Sequence, residues 1–132
     1  MNQSSLTAAT QVTGRVLMSA IFIMAGINKI AGYAATQGYM DSMGVPGALL
    51  PAVILLELGG GLAVLLGWQT RISAFLLAGF SVLSALIFHA NFGDQMQSIL
   101  FMKNLAMAGG FLLLVAGGPG AWSLDARRQA GS

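Results

Sequence analysis

The sequence GALLPAVILLELGGGLAVLLG, at residues 47–67, contains a single charged residue, Glu57. A membrane-spanning helix needs about 20 predominantly apolar residues, because in hydrocarbon the backbone must satisfy its own hydrogen bonds. This run has that length, and Glu57 carries its only polar side chain. The run therefore predicts a spanning helix with an ionisable group near its middle.

Three further apolar segments, at residues 12–31, 72–90 and 99–118, are each long enough to cross a bilayer. Of the 132 residues, 56% are hydrophobic and 8% are charged. In an ordinary soluble domain about 25% of residues are charged. We therefore expect an all-α integral membrane protein in contact with the lipid bilayer. It would be a single domain over residues 1–132 with four transmembrane helices.

The composition excludes several kinds of chemistry. The chain has no cysteine and one histidine, so disulfides, iron–sulfur clusters and bis-histidine haem ligation are ruled out, and no metal site is expected. The net charge is +2, but the basic residues are scattered singly except for Arg127 and Arg128. We expect no nucleic-acid binding, because such binding needs a clustered basic surface.

The arginines predict how the bundle is oriented. All of them fall at helix ends on the same side as the two termini: Arg15, Arg71, Arg127 and Arg128. Cytoplasmic ends of membrane proteins carry the excess of Lys and Arg, so both termini should be cytoplasmic. The alternative for the first segment is a cleaved signal peptide, although residues 1–14 contain no Lys or Arg.

The connections and the small residues predict how the helices pack. Residues 68–71 leave room only for a tight hairpin, whereas residues 32–46 can include a short helix at the membrane interface. Small residues allow helix backbones to approach closely in lipid. On the third helix they form the stripe Ala74, Ala78, Ser81, Ala85, which continues to His89. On the fourth helix we expect the inward stripe Lys103, Ala106, Gly110, Gly117.

The ionisable residues inside the predicted helices fall in the middle and the outer half of the bundle. At ~1.5 Å of rise per residue, Glu57 lies near the midplane, and Lys29 and His89 lie about 25 Å from the cytoplasmic ends of their helices. An ionised residue in a membrane costs several kcal/mol unless it is paired, so such residues indicate a site. We predict a polar cavity that opens outward.

The candidate ligand-binding residues are Lys29, Glu57, His89 and Lys103, with Asn28, Asn91 and Asn104 as hydrogen-bonding neighbours. Two lysines against one glutamate leave an excess of positive charge, which suits an anion or a quinone oxygen that becomes negative on reduction. The histidine can move a proton near neutral pH. The alternative is that the lysines extend toward lipid headgroups and that His89 only packs.

Five motifs carry a resemblance to a known family. They are GINK at 26–29, ELGGG at 57–61, GWQTR at 67–71, FMKN at 101–104 and GPGAWSLD at 118–125. With these motifs the chain resembles the DoxX family of four-helix membrane proteins, particularly its bacterial YphA-like inner-membrane branch. The resemblance implies a multi-pass protein of the bacterial inner membrane. Members are often described as components of membrane oxidoreductases, and no settled catalytic set accompanies the resemblance.

The residues and the resemblance together lead to one main expectation about function. The chain would bind a quinone or a related small molecule, without a covalently bound cofactor, and support a partner oxidoreductase subunit. Lys29 and Lys103 would stabilise developing negative charge, while Glu57 and His89 would relay protons. The alternatives are a structural membrane adaptor without chemistry of its own and a small-solute transporter that acts as a homo-oligomer.

Overall fold

The computed structural model describes residues 3–130, and the described chain is helical without any strand. The helices are α1 (Gln3–Ala31), α2 (Tyr33–Ser42), α3 (Leu50–Leu66), α4 (Thr70–Phe88), α5 (Gln95–Gly117) and α6 (Leu124–Ala130), with a 3-10 turn at Gly47–Leu49 before α3. Of these, α1, α3 with its preceding turn, α4 and α5 are long and apolar enough to cross a membrane. The prediction of an all-α protein with four spanning helices is confirmed.

The spanning helices pack as two pairs. The most extensive contacts join α1 to α3 and α4 to α5, and α3 packs on α4 to connect the pairs. Phe22 of α1 meets Phe111 of α5 edge to face, with ring centroids 5.4 Å apart, at the centre of the buried core. Such edge-to-face aromatic pairs contribute about 0.5–1.5 kcal/mol beyond the area they bury.

Small residues line the interfaces as the sequence predicts for α4. Ala74, Ala78, Ser81 and Ala85 are all buried. Glycine lines the interface between α1 and α3 as well. A Cβ on Gly26 would overlap the Leu58 side chain. The close approach of backbones increases dispersion contacts, which drive helix association in lipid.

The predicted inward stripe of α5 is wrong except at Gly110, which packs against Met18 of α1. Lys103, Ala106 and Gly117 are exposed, and the face that packs inward carries Ala108 and Phe111. The reason is that α5 has apolar residues around its whole circumference. A helix of that kind has no polar face that marks its outer side.

Helix α1 begins well before the predicted start at residue 12. Residues 3–11 contain no proline or glycine, so nothing interrupts the helix there. This early part is also held by packing, because Ala8 is buried and the Gln11 side chain lies against Gly120. The other three spanning helices begin and end within a few residues of the predicted bounds, and the short helix expected in residues 32–46 is α2.

The arginine end of the bundle, where Arg15 meets the end of α3 and the segment before α6, is tied by hydrogen bonds. Arg15 is only 3% exposed. Its guanidinium donates to the backbone carbonyls of Val64, Leu65 and Trp122. Gly67 is left-handed, with φ of 71°, and a Cβ there would collide with the guanidinium, so this position requires glycine.

Asp125 completes this end by capping α4. Its carboxylate accepts hydrogen bonds from the backbone N–H groups of Gln69 and Thr70, both at 2.8 Å, and its own N–H donates to the Gly67 carbonyl. Partial burial opposes ionisation of Asp125, but the hydrogen bonds from Thr70 and Gln69 and the charge of Arg128 outweigh it and lower its pKa. The motifs GWQTR and GPGAWSLD therefore build a structural clamp.

Candidate functional site

A cavity of about 390 Å³ lies in the half of the bundle away from the arginine end. Its wall is mostly apolar and comes from α1 to α5. The lining residues are Ile21, Phe22, Ala25, Lys29, Thr36, Tyr39, Met40, Val45, Val53, Glu57, Phe80, Ser81, Leu83, Ser84, Ile87, Phe88, His89, Asn104 and Met107. Cavities that hold small molecules are typically about 300–1,000 Å³ and mainly apolar, with a few polar groups that fix orientation.

Lys29 and Glu57 form an ion pair in the wall of this cavity. Lys29 Nζ lies 2.8 Å from Glu57 Oε1, and the pair joins α1 to α3. The Glu57 side chain is 2% exposed and that of Lys29 is 29% exposed. The carboxylate is therefore enclosed by the protein, whereas the ammonium group is partly open to a ligand.

Two glycines bring the helices close enough for this pair. Gly26 lies one turn before Lys29 and contacts Leu58, and Gly61 lies one turn after Glu57 and contacts Ile23. A Cβ at either position would crowd the facing side chain. The motifs GINK and ELGGG thus supply both the charged partners and the small residues beside them.

His89 lies at the end of α4 and lines the cavity. Its Nδ1 is 2.7 Å from Oε1 of Gln97, which belongs to the first turns of α5. Sequence reasoning missed Gln97. A signal was present, because Asp94 at the N-cap followed by Gln97 three residues later matches the capping-box pattern.

The predicted site residues fall into two groups. Lys29, Glu57, His89 and Asn104 line one cavity. Asn28 and Lys103 are exposed and do not line it. The lining charges therefore balance as one ammonium and one carboxylate, in place of the excess of positive charge that the sequence suggested.

Helix α2 contributes a wall that sequence reasoning did not include in the site. The Tyr39 ring stacks on Phe88 of α4 with centroids 5.5 Å apart. Gln37 Nε2 donates to the Gly47 carbonyl, and Asp41 accepts from the Gly47 N–H at 2.7 Å. These contacts hold α2 across the cavity side of the bundle.

The arrangement suits a neutral amphipathic ligand. The apolar wall accommodates a ring or a hydrocarbon tail, and Lys29 and Asn104 offer hydrogen-bond donors to an oxygen atom. Within residues 3–130, no cluster of three or more His, Asp or Glu side chains is placed to hold a metal ion.

Comparison with known proteins supports the resemblance seen in the motifs. The model of the DoxX family matches residues 10–90. The chain is 57% identical over 114 residues to the inner membrane protein YqjF of Escherichia coli, covering 86% of this chain and 88% of YqjF. It is 38% identical over 120 residues to the inner membrane protein YphA of E. coli, covering 86% of each chain.

A third relative matches over a shorter length. It is CatD of Bacillus subtilis, whose name designates a candidate oxidoreductase, and it is 34% identical over 64 residues, or 48% of each chain. No solved structure matches the chain.

Proposed function

This chain belongs to the DoxX family and is a multi-pass inner-membrane protein, and from that premise we propose that it binds a quinone or a related small molecule for a membrane oxidoreductase. The observation that carries the proposal is the apolar cavity with the Lys29–Glu57 pair in its wall. A quinone has an apolar ring and tail that suit such a wall, and its carbonyl oxygens accept hydrogen bonds. Lys29 retains N–H donors beyond the one directed at Glu57.

The link to an oxidoreductase rests on one relative. The name of CatD points to that class of protein, and the match covers about half of this chain. The sequence has no cysteine and a single histidine, so the polypeptide cannot hold an iron–sulfur cluster on cysteines or a bis-histidine haem. A diffusible carrier in the cavity would let it take part in electron transfer together with a partner subunit.

The proposal is tested by native mass spectrometry and solvent extraction of protein purified from bacterial membranes in mild detergent. We expect one quinone per chain in the parent and its loss in Ala25→Phe, because Ala25 lines the cavity and the phenylalanine ring would take up part of the space that the ligand needs. Ala20→Phe is the matched control, since Ala20 is an exposed residue of the same helix.

Circular dichroism must first show that both variants are folded. Quinone retained in folded Ala25→Phe, or no small molecule in the folded parent, would contradict the proposal. The second result would favour a structural adaptor.

We also propose that both termini are cytoplasmic and that the cavity lies in the periplasmic half. All four arginines fall at one end of the bundle or on α6 beside it, as the positive-inside rule requires. The chain has no cysteine, so the labelling of a single introduced cysteine reports the side of the membrane on which that residue lies. With a membrane-impermeant thiol reagent on spheroplasts, we expect labelling of Gly93→Cys and none of Ala121→Cys until the membrane is opened. Labelling of Ala121→Cys in intact spheroplasts, with none of Gly93→Cys, would show that the termini are periplasmic and would contradict the proposed orientation.

A further inference from the structure

The contact between His89 and Gln97 indicates where a neutral imidazole carries its proton. Nδ1 of His89 and Oε1 of Gln97 are 2.7 Å apart. With the amide oxygen of Gln97 toward the ring, Nδ1 is the donor, because an amide oxygen accepts hydrogen bonds and cannot donate. A neutral imidazole has one N–H, and therefore Nε2 of His89 is left as an acceptor.

The backbone on both sides of this contact is fixed. The His89 N–H donates to the Ala85 carbonyl at 3.0 Å, which ends α4. Asp94 caps α5 by accepting from the Met96 N–H at 2.9 Å, so the position of Gln97 in the first turn is set. The Phe92 and Phe101 rings, 4.9 Å apart, pack the connecting segment against α5.

The capping box makes the role of Gln97 unusual. A glutamine at this position ordinarily reaches back to the N-cap backbone. Here the side chain contacts a histidine of the cavity wall instead. The Asp94 backbone N–H, to which such a glutamine would be the acceptor, donates to the Asn91 carbonyl at 3.2 Å, and the Gln97 side chain orients the histidine ring.

We propose that Gln97 is a positioning residue that holds neutral His89 in the tautomer with the proton on Nδ1, and that the cavity therefore prefers a ligand whose hydroxyl group donates to Nε2. The second part rests on the proposed function and deepens it. The ligand class is a neutral amphipathic molecule with a ring hydroxyl, such as a phenol or a hydroquinone. Lys29 and Asn104, at the same wall, can donate to an oxygen of that ligand.

The tautomer is tested directly by NMR. The chain has one histidine, so selective ring ¹⁵N labelling reports on His89 alone when the affinity tag contains no histidine. At alkaline pH, where imidazole is neutral, we expect a protonated nitrogen at Nδ1 and a bare nitrogen at Nε2. A bare Nδ1 in the folded parent would overturn the role of Gln97.

Two variants separate positioning from folding. Gln97→Met removes the acceptor at similar size, and we expect the preference for Nδ1–H to disappear. Gln97→Glu keeps an acceptor oxygen, and we expect it to restore the preference. If Gln97→Met is folded and its histidine signals match those of the parent, Gln97 does not position the ring.

The ligand class is tested with para-decylphenol and para-decylanisole, which differ in one methyl group on oxygen. We expect the parent to bind the phenol about fivefold more tightly, the effect of one hydrogen bond. Gln97→Met and His89→Phe should lose this difference. Equal binding of the two compounds would overturn the ligand class. If the parent binds neither, the proposed function fails as well, whereas the NMR result still decides the role of Gln97.

Discussion

Replacing Lys29 with methionine is expected to destabilise the protein by about 3 kcal/mol or more. Glu57 is 2% exposed, and its carboxylate has the Lys29 ammonium 2.8 Å away. Removing one partner of such a pair leaves an uncompensated charge in an apolar wall. The measurement is the free energy of unfolding of the purified protein in mild detergent, with helical content followed by circular dichroism.

Lys103→Met is the matched control for this prediction. Lys103 is an exposed lysine of a spanning helix, so its loss should change stability by about 0.5 kcal/mol or less. The double variant Lys29→Met with Glu57→Gln should be far less destabilised than the sum of the single variants, because the pair is removed together. Strictly additive effects would show that the two residues do not interact.

Replacing Arg15 with methionine is expected to cost about 3 kcal/mol. The buried guanidinium donates hydrogen bonds to the backbone carbonyls of Val64, Leu65 and Trp122. These residues belong to the end of α3 and to the segment before α6. Without the guanidinium, carbonyl groups at the arginine end lose their donor, and α1 loses its hydrogen bonds to the other two segments. Thermal unfolding in detergent gives the measurement.

Arg127→Met is the matched control for Arg15→Met. Arg127 is exposed on α6, and its replacement removes the same charge near the same end of the bundle. We expect its unfolding temperature to stay close to that of the parent. Equal unfolding temperatures for the two variants would contradict the role of Arg15 in holding the arginine end together.

Hydropathy alone was enough to predict the four spanning helices, since the alternative of a soluble fold would need far more polar surface. The inward face of α4 was also predictable, because its small residues recur at helical spacing. The pairing of Lys29 with Glu57 was predictable only as one of two possibilities, because Lys103 had a comparable position in the sequence.

The inner face of α5 was not predictable from its residues. The residues of α5 include large and small apolar side chains on every face of the helix. Its sequence alone therefore does not distinguish the face that contacts protein from the face that contacts lipid. The structure instead turns Asn104 toward the cavity and leaves Lys103 exposed. Residues one position apart on a helix point in different directions. A small error in the assumed inward face of α5 therefore places Lys103 in the cavity and Asn104 outside it, or the reverse.

The most specific motifs of the sequence turned out to be structural. GWQTR and GPGAWSLD meet at the arginine end, where Asp125 caps α4 and Gly67 makes room for Arg15. The contact of Gln97 with His89 depends on how the connection between α4 and α5 folds back, which spacing alone does not define. Two of the five family motifs therefore build the clamp, whereas GINK, ELGGG and FMKN supply Lys29, Glu57 and Asn104 to the cavity wall.

Photolabelling in the native membrane tests the central claim, that the cavity holds a quinone-like ligand, most directly. A diazirine-bearing quinone analogue is photolysed on the membranes, and the labelled residues are identified by mass spectrometry. We predict labelling at Ile87 and Met107, which line the cavity, with loss of the label when excess quinone is added. Labelling confined to outward residues such as Leu17 and Leu55, and unchanged by excess quinone, would contradict the account.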